Sequence, residues 1–153
     1  MQTHAAYSDT GADDPAGLES NRRAIEKIQS HGVTVNGCFI LGLDSQTPDV
    51  FPQVRDFIRE SGLIEAQITV LTPFPGTPLY HRLAREGRLI QPRFWDRCTL
   101  FDVNYQPRNM TIGELESGLR WLFREVYNDV EVGRRQRHYM ELVKRAGRPA
   151  DAT

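Results

Sequence analysis

The residues with the widest chemical reach in this chain are two cysteines and four histidines, and their spacing assembles none of them into a reaction centre. Cys38 and Cys98 are too few for a disulfide scaffold and wrongly spaced for a zinc or iron–sulfur motif of their own. Cys38 falls in a β-like run with no His or Lys neighbour in sequence, so a buried, unreactive thiol is expected there. His4 sits in a small-polar opening segment, His31 near a helix end, His81 in a helix beside Tyr80 and His138 on a charged face; structural or solvated roles are expected of them. No phosphate-binding GxxxxGK[ST], GxGxxG, HExxH or GxSxG occurs, and no convincing carboxylate pair. The residues alone therefore name no catalytic group.

They do name a place. In parallel α/β folds ligands bind at the carboxyl ends of strands, where turns expose backbone groups and helix N-termini. Two turns hold such positions, Gly42-Leu43-Asp44-Ser45-Gln46-Thr47 and Leu71-Thr72-Pro73-Phe74-Pro75-Gly76-Thr77. Their glycines and prolines hold the backbone in defined conformations and permit close approach of a flat ligand.

The elements that position these turns follow from periodicity. Val33, Val35, Phe39, Ile40 and Leu41 form an apolar, β-branched run closed by Gly42. Thr47 and Pro48 are suited to open a helix, and Val50, Phe51, Val54, Phe57 and Ile58 give it one apolar stripe before Gly62 ends it. The plan repeats: Ile64 to Thr72 is strand-like, Thr77-Pro78 opens a helix and Gly87 closes it. Two successive βα units imply a parallel sheet with helical crossovers.

Alternation divides the strands into two faces. Val33, Val35, Gly37, Phe39 and Leu41 oppose Thr34, Asn36, Cys38, Ile40 and Gly42; Ala66, Ile68 and Val70 oppose Glu65, Gln67 and Thr69. A parallel sheet covered on both sides is normally apolar on both, so the partly polar face suggests a barrel-like interior or a ligand cleft, or else an edge strand with one wetted face.

Residues 1–17 carry no apolar period and read as a disordered lead-in. A helix from about Leu18 to Ser30 then leads into the first strand. From Arg88 to Asn109 the period is lost and Phe94, Trp95, Phe101 and Tyr105 accumulate, as in an ordered loop or lid-like extension. Those aromatics either cover the end of the sheet or stack on a ligand. Thr111 and Glu114 form a capping box before a helix to about Tyr127 whose stripe is Ile112, Leu115, Leu119, Leu122, Phe123 and Val126. The last segment, Val130 to Gly147, carries Arg134, Arg135, Arg137, Lys144 and Arg145 and reads as a solvated helix face.

The 153 residues, 39% hydrophobic and 25% charged with a net charge of -1, allow one globular domain and give no sign of nucleic-acid binding. A complete α/β barrel needs about 250 residues, so a barrel here would be part of one. With no run approaching a membrane span and no secretory pattern, cytoplasmic residence is expected.

At the two turns a family likeness emerges. GCFILGLDSQTPDVF followed by LTPFPGTPLYHRLAREGRL resembles the late strands of radical S-adenosylmethionine enzymes, in particular the subgroup with a cobalamin-binding domain ahead of the barrel. FDVNYQPRNMTIGELESGLRWLFREVYNDVEVGRRQRHYMEL is similar to that subgroup's C-terminal extension. The resemblance implies an α/β fold: the last two βα units of a parallel (β/α)6 partial TIM-type barrel over residues 18–90, an extension of a loop and two helices over 91–147, and a disordered tail over 148–153.

It also implies that Asn36, Cys38, Ile40, Gly42, Gln67, Thr69 and Leu71 face inward as a cofactor wall. In the complete enzyme the cofactors would be S-adenosylmethionine, a [4Fe–4S] cluster and cobalamin, serving reductive cleavage to a 5′-deoxyadenosyl radical and methyltransferase-like chemistry on a small-molecule substrate. The family's CxxxCxxC triplet is missing here, and Gly42 to Thr47 stands where many relatives have GxPGET, so the contact of the usual glutamate is unsecured at Gln46. The chain alone is therefore expected to bind none of the three cofactors fully and to be inactive. Its partner would be the N-terminal half of the barrel, on the same or a separate chain. The other readings are half of a split enzyme, which leaves the Val33 to Leu41 strand with an open edge, and a stand-alone α/β binding or interaction module.

Overall fold

A computed structural model describes residues 3–6, 15–91 and 93–146. The order is β1 (Thr3–Ala6), α1 (Pro15–Ser30), β2 (Val35–Leu41), α2 (Val50–Ser61), β3 (Glu65–Val70), α3 (Pro78–Arg85), a 3-10 turn (Trp95–Arg97), α4 (Ile112–Val126) and α5 (Asp129–Ala146). The strands form one parallel sheet in the order β1-β2-β3, in register from Thr3 opposite Val35 and from Asn36 opposite Glu65. The architecture is α/β, as the periodicities predict.

The lead-in differs from expectation. Within residues 1–17, Thr3–Ala6 pairs with β2 and Pro15 already opens α1, so three βα units stand where two were read. Four residues rich in alanine are too few for an apolar period; the pairing supplied by β2 makes them a strand. β2 is thus the central strand, and the open edge expected for it is covered. The expected tail over 148–153 lies outside the described residues.

Helix boundaries follow local chemistry with one exception. Thr77 Oγ1 accepts from Tyr80 N at 3.2 Å with Pro78 next, and Thr111 and Glu114 complete the capping box. Gly62, at φ 67°, ends α2 in the left-handed region. Thr47, however, does not cap α2 with its side chain: its carbonyl accepts from Val50 N at 3.0 Å in a turn, and the helix begins at Val50.

The core lies on one side of the sheet. Val35, Phe39 and Leu41 of β2 and Ile68 and Val70 of β3 pack with Ile25, the α2 stripe and Leu115, Leu119, Leu122 and Val126 of α4. Gly37 is buried among them, and a Cβ there would come within 2.6 Å of Leu63 Cδ1. The outer edge of β3 is also engaged: Val70 N donates to Leu100 O at 2.7 Å, and the Tyr127 hydroxyl donates to Ala66 O at 2.8 Å. Leu100 presents that carbonyl from a left-handed conformation, φ 70°.

Helix α5 keeps Arg137, Lys144 and Arg145 exposed, as expected of a solvated charge run, but Arg134 and Arg135 depart from it. Arg134 Nη1 donates to Arg59 O at 3.1 Å, Arg135 Nη1 to Val126 O at 2.7 Å and Tyr139 OH to Gly32 O at 2.9 Å. The same helix thereby satisfies carbonyls at the ends of α1, α2 and α4. Arg135 is 3% exposed, and His138 lies where a Cβ on Gly62 would collide with its ring. Lone sequence patterns treat an arginine run as solvent-facing, yet helix C-termini carry orphan acceptors and negative dipole ends that cations satisfy.

Candidate functional site: the open strand face

The second face of the sheet carries no packed helix among the described residues. Along β2, Asn36 and Cys38 are half-buried and Ile40 is 43% exposed; along β3, Glu65 and Gln67 are exposed while Thr69 is buried. Cys38 Sγ lies 3.8 Å from Gln67 Oε1, and Thr69 Oγ1 donates to Phe39 O at 3.3 Å. Five expected wall positions, Asn36, Cys38, Ile40, Gln67 and Thr69, therefore share one face by the pleat. Asn36 Oδ1 is shielded from solvent without a hydrogen-bond partner among the described residues. A buried amide oxygen left unpaired costs free energy that a donor brought to this face would recover.

Gly42 and Leu71, at the carboxyl ends, do other things. Leu71 is half-buried at the core's margin, and its N–H donates to Leu41 O at 2.8 Å. Gly42 is buried with φ 87°, its carbonyl accepts the Tyr105 hydroxyl, and a Cβ there would overlap that hydroxyl and come within 2.9 Å of Leu115 Cδ2. The glycine is required by packing from the helical side.

Sequence reasoning had not assigned Gln46 its place. Its Oε1 accepts from Gly42 N at 2.8 Å and Leu43 N at 3.1 Å, and its Nε2 donates to Ile40 O at 3.1 Å. The amide serves as a piece of backbone that closes the end of β2, and it needs both an acceptor and a donor to do so. The glutamine standing in place of the glutamate of GxPGET was the available signal.

Electrostatics concentrate just beyond this turn. Asp44 meets Arg88 Nη2 at 2.7 Å and Arg82 Nη2 at 3.1 Å, and Arg88 also bonds Glu86 at 2.8 Å. The hydrogen bond from Arg88 outweighs the opposing effect of burial and, with the weaker pull of the Arg88, Arg82 and Arg108 charges, holds the Asp44 carboxyl below its ordinary range. Burial pushes the Tyr105 hydroxyl upward, so it stays protonated as the donor to Gly42 O. A shallow groove of about 400 Å³, lined by Pro48, Phe51, Gly118 and Trp121, lies between α2 and α4 on the helical side, away from the open face.

The aromatic extension divides in two. Phe94 and Tyr105 are 1% and 0% exposed, whereas Trp95 and Phe101 are 57% and 55% exposed. His31 hydrogen-bonds Lys27 O at 2.7 Å, and His81 stacks edge-on against Tyr80, which suits the structural roles expected of them.

Fold and face together describe a one-sided parallel α/β unit with a helical extension. A sequence family described as "Domain of unknown function (DUF4070)" matches residues 77–152, from the cap of α3 onward. The bacteriochlorophyllide d C-12(1)-methyltransferase of Chlorobaculum tepidum is 25% identical over 118 residues, 77% of this chain and 25% of that protein. The hopanoid C-2 methylase of Rhodopseudomonas palustris is 41% identical over 66 residues, 43% of this chain and 12% of that protein. The anaerobic magnesium-protoporphyrin IX monomethyl ester cyclase of Rubrivivax gelatinosus is 24% identical over 98 residues, 64% and 17% of the respective chains. The chain spans a quarter or less of the length of these relatives. These similarities bear out the likeness, drawn at the two turns, to the C-terminal part of radical S-adenosylmethionine enzymes of the cobalamin-binding subgroup.

The implied cofactors meet this chain unequally. The two cysteines cannot supply three thiolates to a cluster, and among the described residues no group of three His, Cys, Asp or Glu side chains could hold a metal. A polar organic ligand suits the open face better, because the exposed Gln67 amide offers hydrogen bonds there beside the apolar Ile40. Among the described residues no helix is long and apolar enough to cross a membrane.

Proposed function

We propose that this chain supplies the last βα units of a partial barrel, and the extension behind them, to a cytoplasmic, cobalamin-dependent radical S-adenosylmethionine enzyme of methyltransferase type. The observation that carries this reading is the sheet covered on one side, whose other face leaves Asn36 Oδ1 without a partner. Asn36, Cys38, Ile40, Gln67 and Thr69 then form a wall for S-adenosylmethionine and substrate. The bound cofactors supply the radical and methyl chemistry; this chain's residues bind, orient and exclude water, and alone it does not catalyse. The cluster-bearing half comes from another segment or chain.

Co-expression with a cluster-bearing N-terminal half tests this. A 1:1 complex with iron and sulfide that binds S-adenosylhomocysteine, and binds it more weakly when Asn36 is replaced by Ala, supports the reading. Failure of the two halves to associate removes it.

One observation favours a second reading, a stand-alone binding module: β1 covers one edge of β2, and Leu100 and Tyr127 engage the outer edge of β3. That reading requires a single cooperative thermal transition without any partner, and dye binding to exposed apolar surface would count against it.

A further inference from the structure

The turn after β2 is held from outside by the segment that follows α3. Asn109 Nδ2 donates to Asp44 O at 2.7 Å, Arg88 Nη2 grips the Asp44 carboxylate at 2.7 Å, and the Tyr105 hydroxyl reaches Gly42 O. Those three residues are set in turn by a short antiparallel ribbon. Gln106 N donates to Arg88 O at 2.7 Å, Arg88 Nε to Gln106 O at 2.8 Å and Ile90 N to Asn104 O at 3.1 Å, around a bridge between Leu89 and Tyr105. The three bonds to the turn, from Arg88, Tyr105 and Asn109, land on Gly42 or Asp44 from residues at least 44 positions away in sequence. Local bonds from Gln46 fix the inner side of the same turn, so its conformation is determined from both sides.

We propose that Arg88, Tyr105 and Asn109 are positioning residues that brace the Gly42–Thr47 turn, and that the aromatic extension thereby sets ligand affinity at the rim of the open face without touching the ligand. The part of this concerning affinity rests on the reading of that face as a cofactor wall; the brace itself does not. A turn that forms the rim of a site loses binding free energy when it must be ordered on binding, so preordering it raises affinity. Among the three, Asn109 and its bond are exposed, which makes it removable without disturbing the core.

Hydrogen exchange of the full chain decides the matter. The amides of Gly42, Leu43 and Gln46 are all hydrogen-bonded within the turn and report its opening. In Asn109→Ala and Tyr105→Phe these amides should exchange roughly fivefold faster, the equivalent of one lost hydrogen bond, while those of Val54 to Ile58 in α2 are unchanged. In the complex with the cluster-bearing half, S-adenosylhomocysteine affinity should fall by a similar factor in Asn109→Ala with no change in melting temperature. Unchanged turn exchange in both variants overturns the brace. Faster exchange with unaltered affinity overturns its effect on the ligand, and a wild-type complex that ignores S-adenosylhomocysteine refutes the cofactor wall while the exchange result still decides the brace.

Discussion

Arg135 of α5 donates to the carbonyl of Val126, the last residue of α4, at 2.7 Å while only 3% exposed. Its Nε also reaches Ile64 O at 3.4 Å, so one guanidinium joins α5, the end of α4 and the approach to β3. Burial, reinforced by the nearby Arg134 charge, lowers its pKa from the ordinary arginine value, the mark of a charge held out of water by hydrogen bonds. Arg135→Ala should cost about 3 kcal/mol in chemical denaturation, from a cavity and two carbonyls left without a donor. Arg137→Ala, at an exposed position on the same helix, should stay within about 0.5 kcal/mol.

Gly42 has a backbone and a neighbour that both exclude a side chain. Its φ of 87° strains any other residue, and a Cβ overlaps the Tyr105 hydroxyl. Gly42→Ala should destabilise by at least about 2 kcal/mol, seen as a lowered denaturation midpoint. Adding Tyr105→Phe should recover part of that loss, because the colliding hydroxyl is gone; strictly additive effects would show that strain alone is responsible.

Gln46 works through an acceptor and a donor, and glutamate keeps only the first. In Gln46→Glu the carboxylate faces Ile40 O, where Nε2 donated before, and stability should drop by about 1–2 kcal/mol at neutral pH. A protonated carboxyl can donate to Ile40 O, which raises the folded-state pKa of the new group. The stabilisation it offers is present at low pH and lost as pH rises, so the deficit against wild type should narrow as pH falls toward about 4. A deficit independent of pH would contradict this account.

Asp44 behaves in the opposite sense. Its pKa is lowered from 3.8 chiefly by the Arg88 hydrogen bond, so its contribution is fully present above the unfolded value and is lost as pH falls through the lower folded value. The stability difference between wild type and Asp44→Asn should be about 1–2 kcal/mol at pH 7, constant down to the ordinary carboxylate range, and should shrink below it. Urea titrations at a series of acidic pH values measure this directly.

Local features were legible and distant ones were not. Thr77-Pro78, the Thr111 and Glu114 capping box and Gly62 announce helix ends because each acts within four residues of itself. The strand pleat likewise sorted Asn36, Cys38, Ile40, Gln67 and Thr69 onto one face, since alternation needs no tertiary partner. Gln46 and Thr47 show the limit. The helix start expected at Thr47 was displaced because Gln46 turns back to close β2, a choice made between two satisfactory local solutions.

What the sequence by itself determined is the α/β alternation, the two-faced strands and the family likeness carried by their turns, all of which follow from residue periodicity and glycine or proline placement. Only the tertiary structure decided that Thr3–Ala6 is a strand, that Gly42 answers to Tyr105 and that Arg135 is buried. In each case a chain segment of modest intrinsic preference is settled by a hydrogen-bond partner in another element. Buried donors and acceptors must be paired somewhere, and which pairing is reached depends on how the helices and sheet come together.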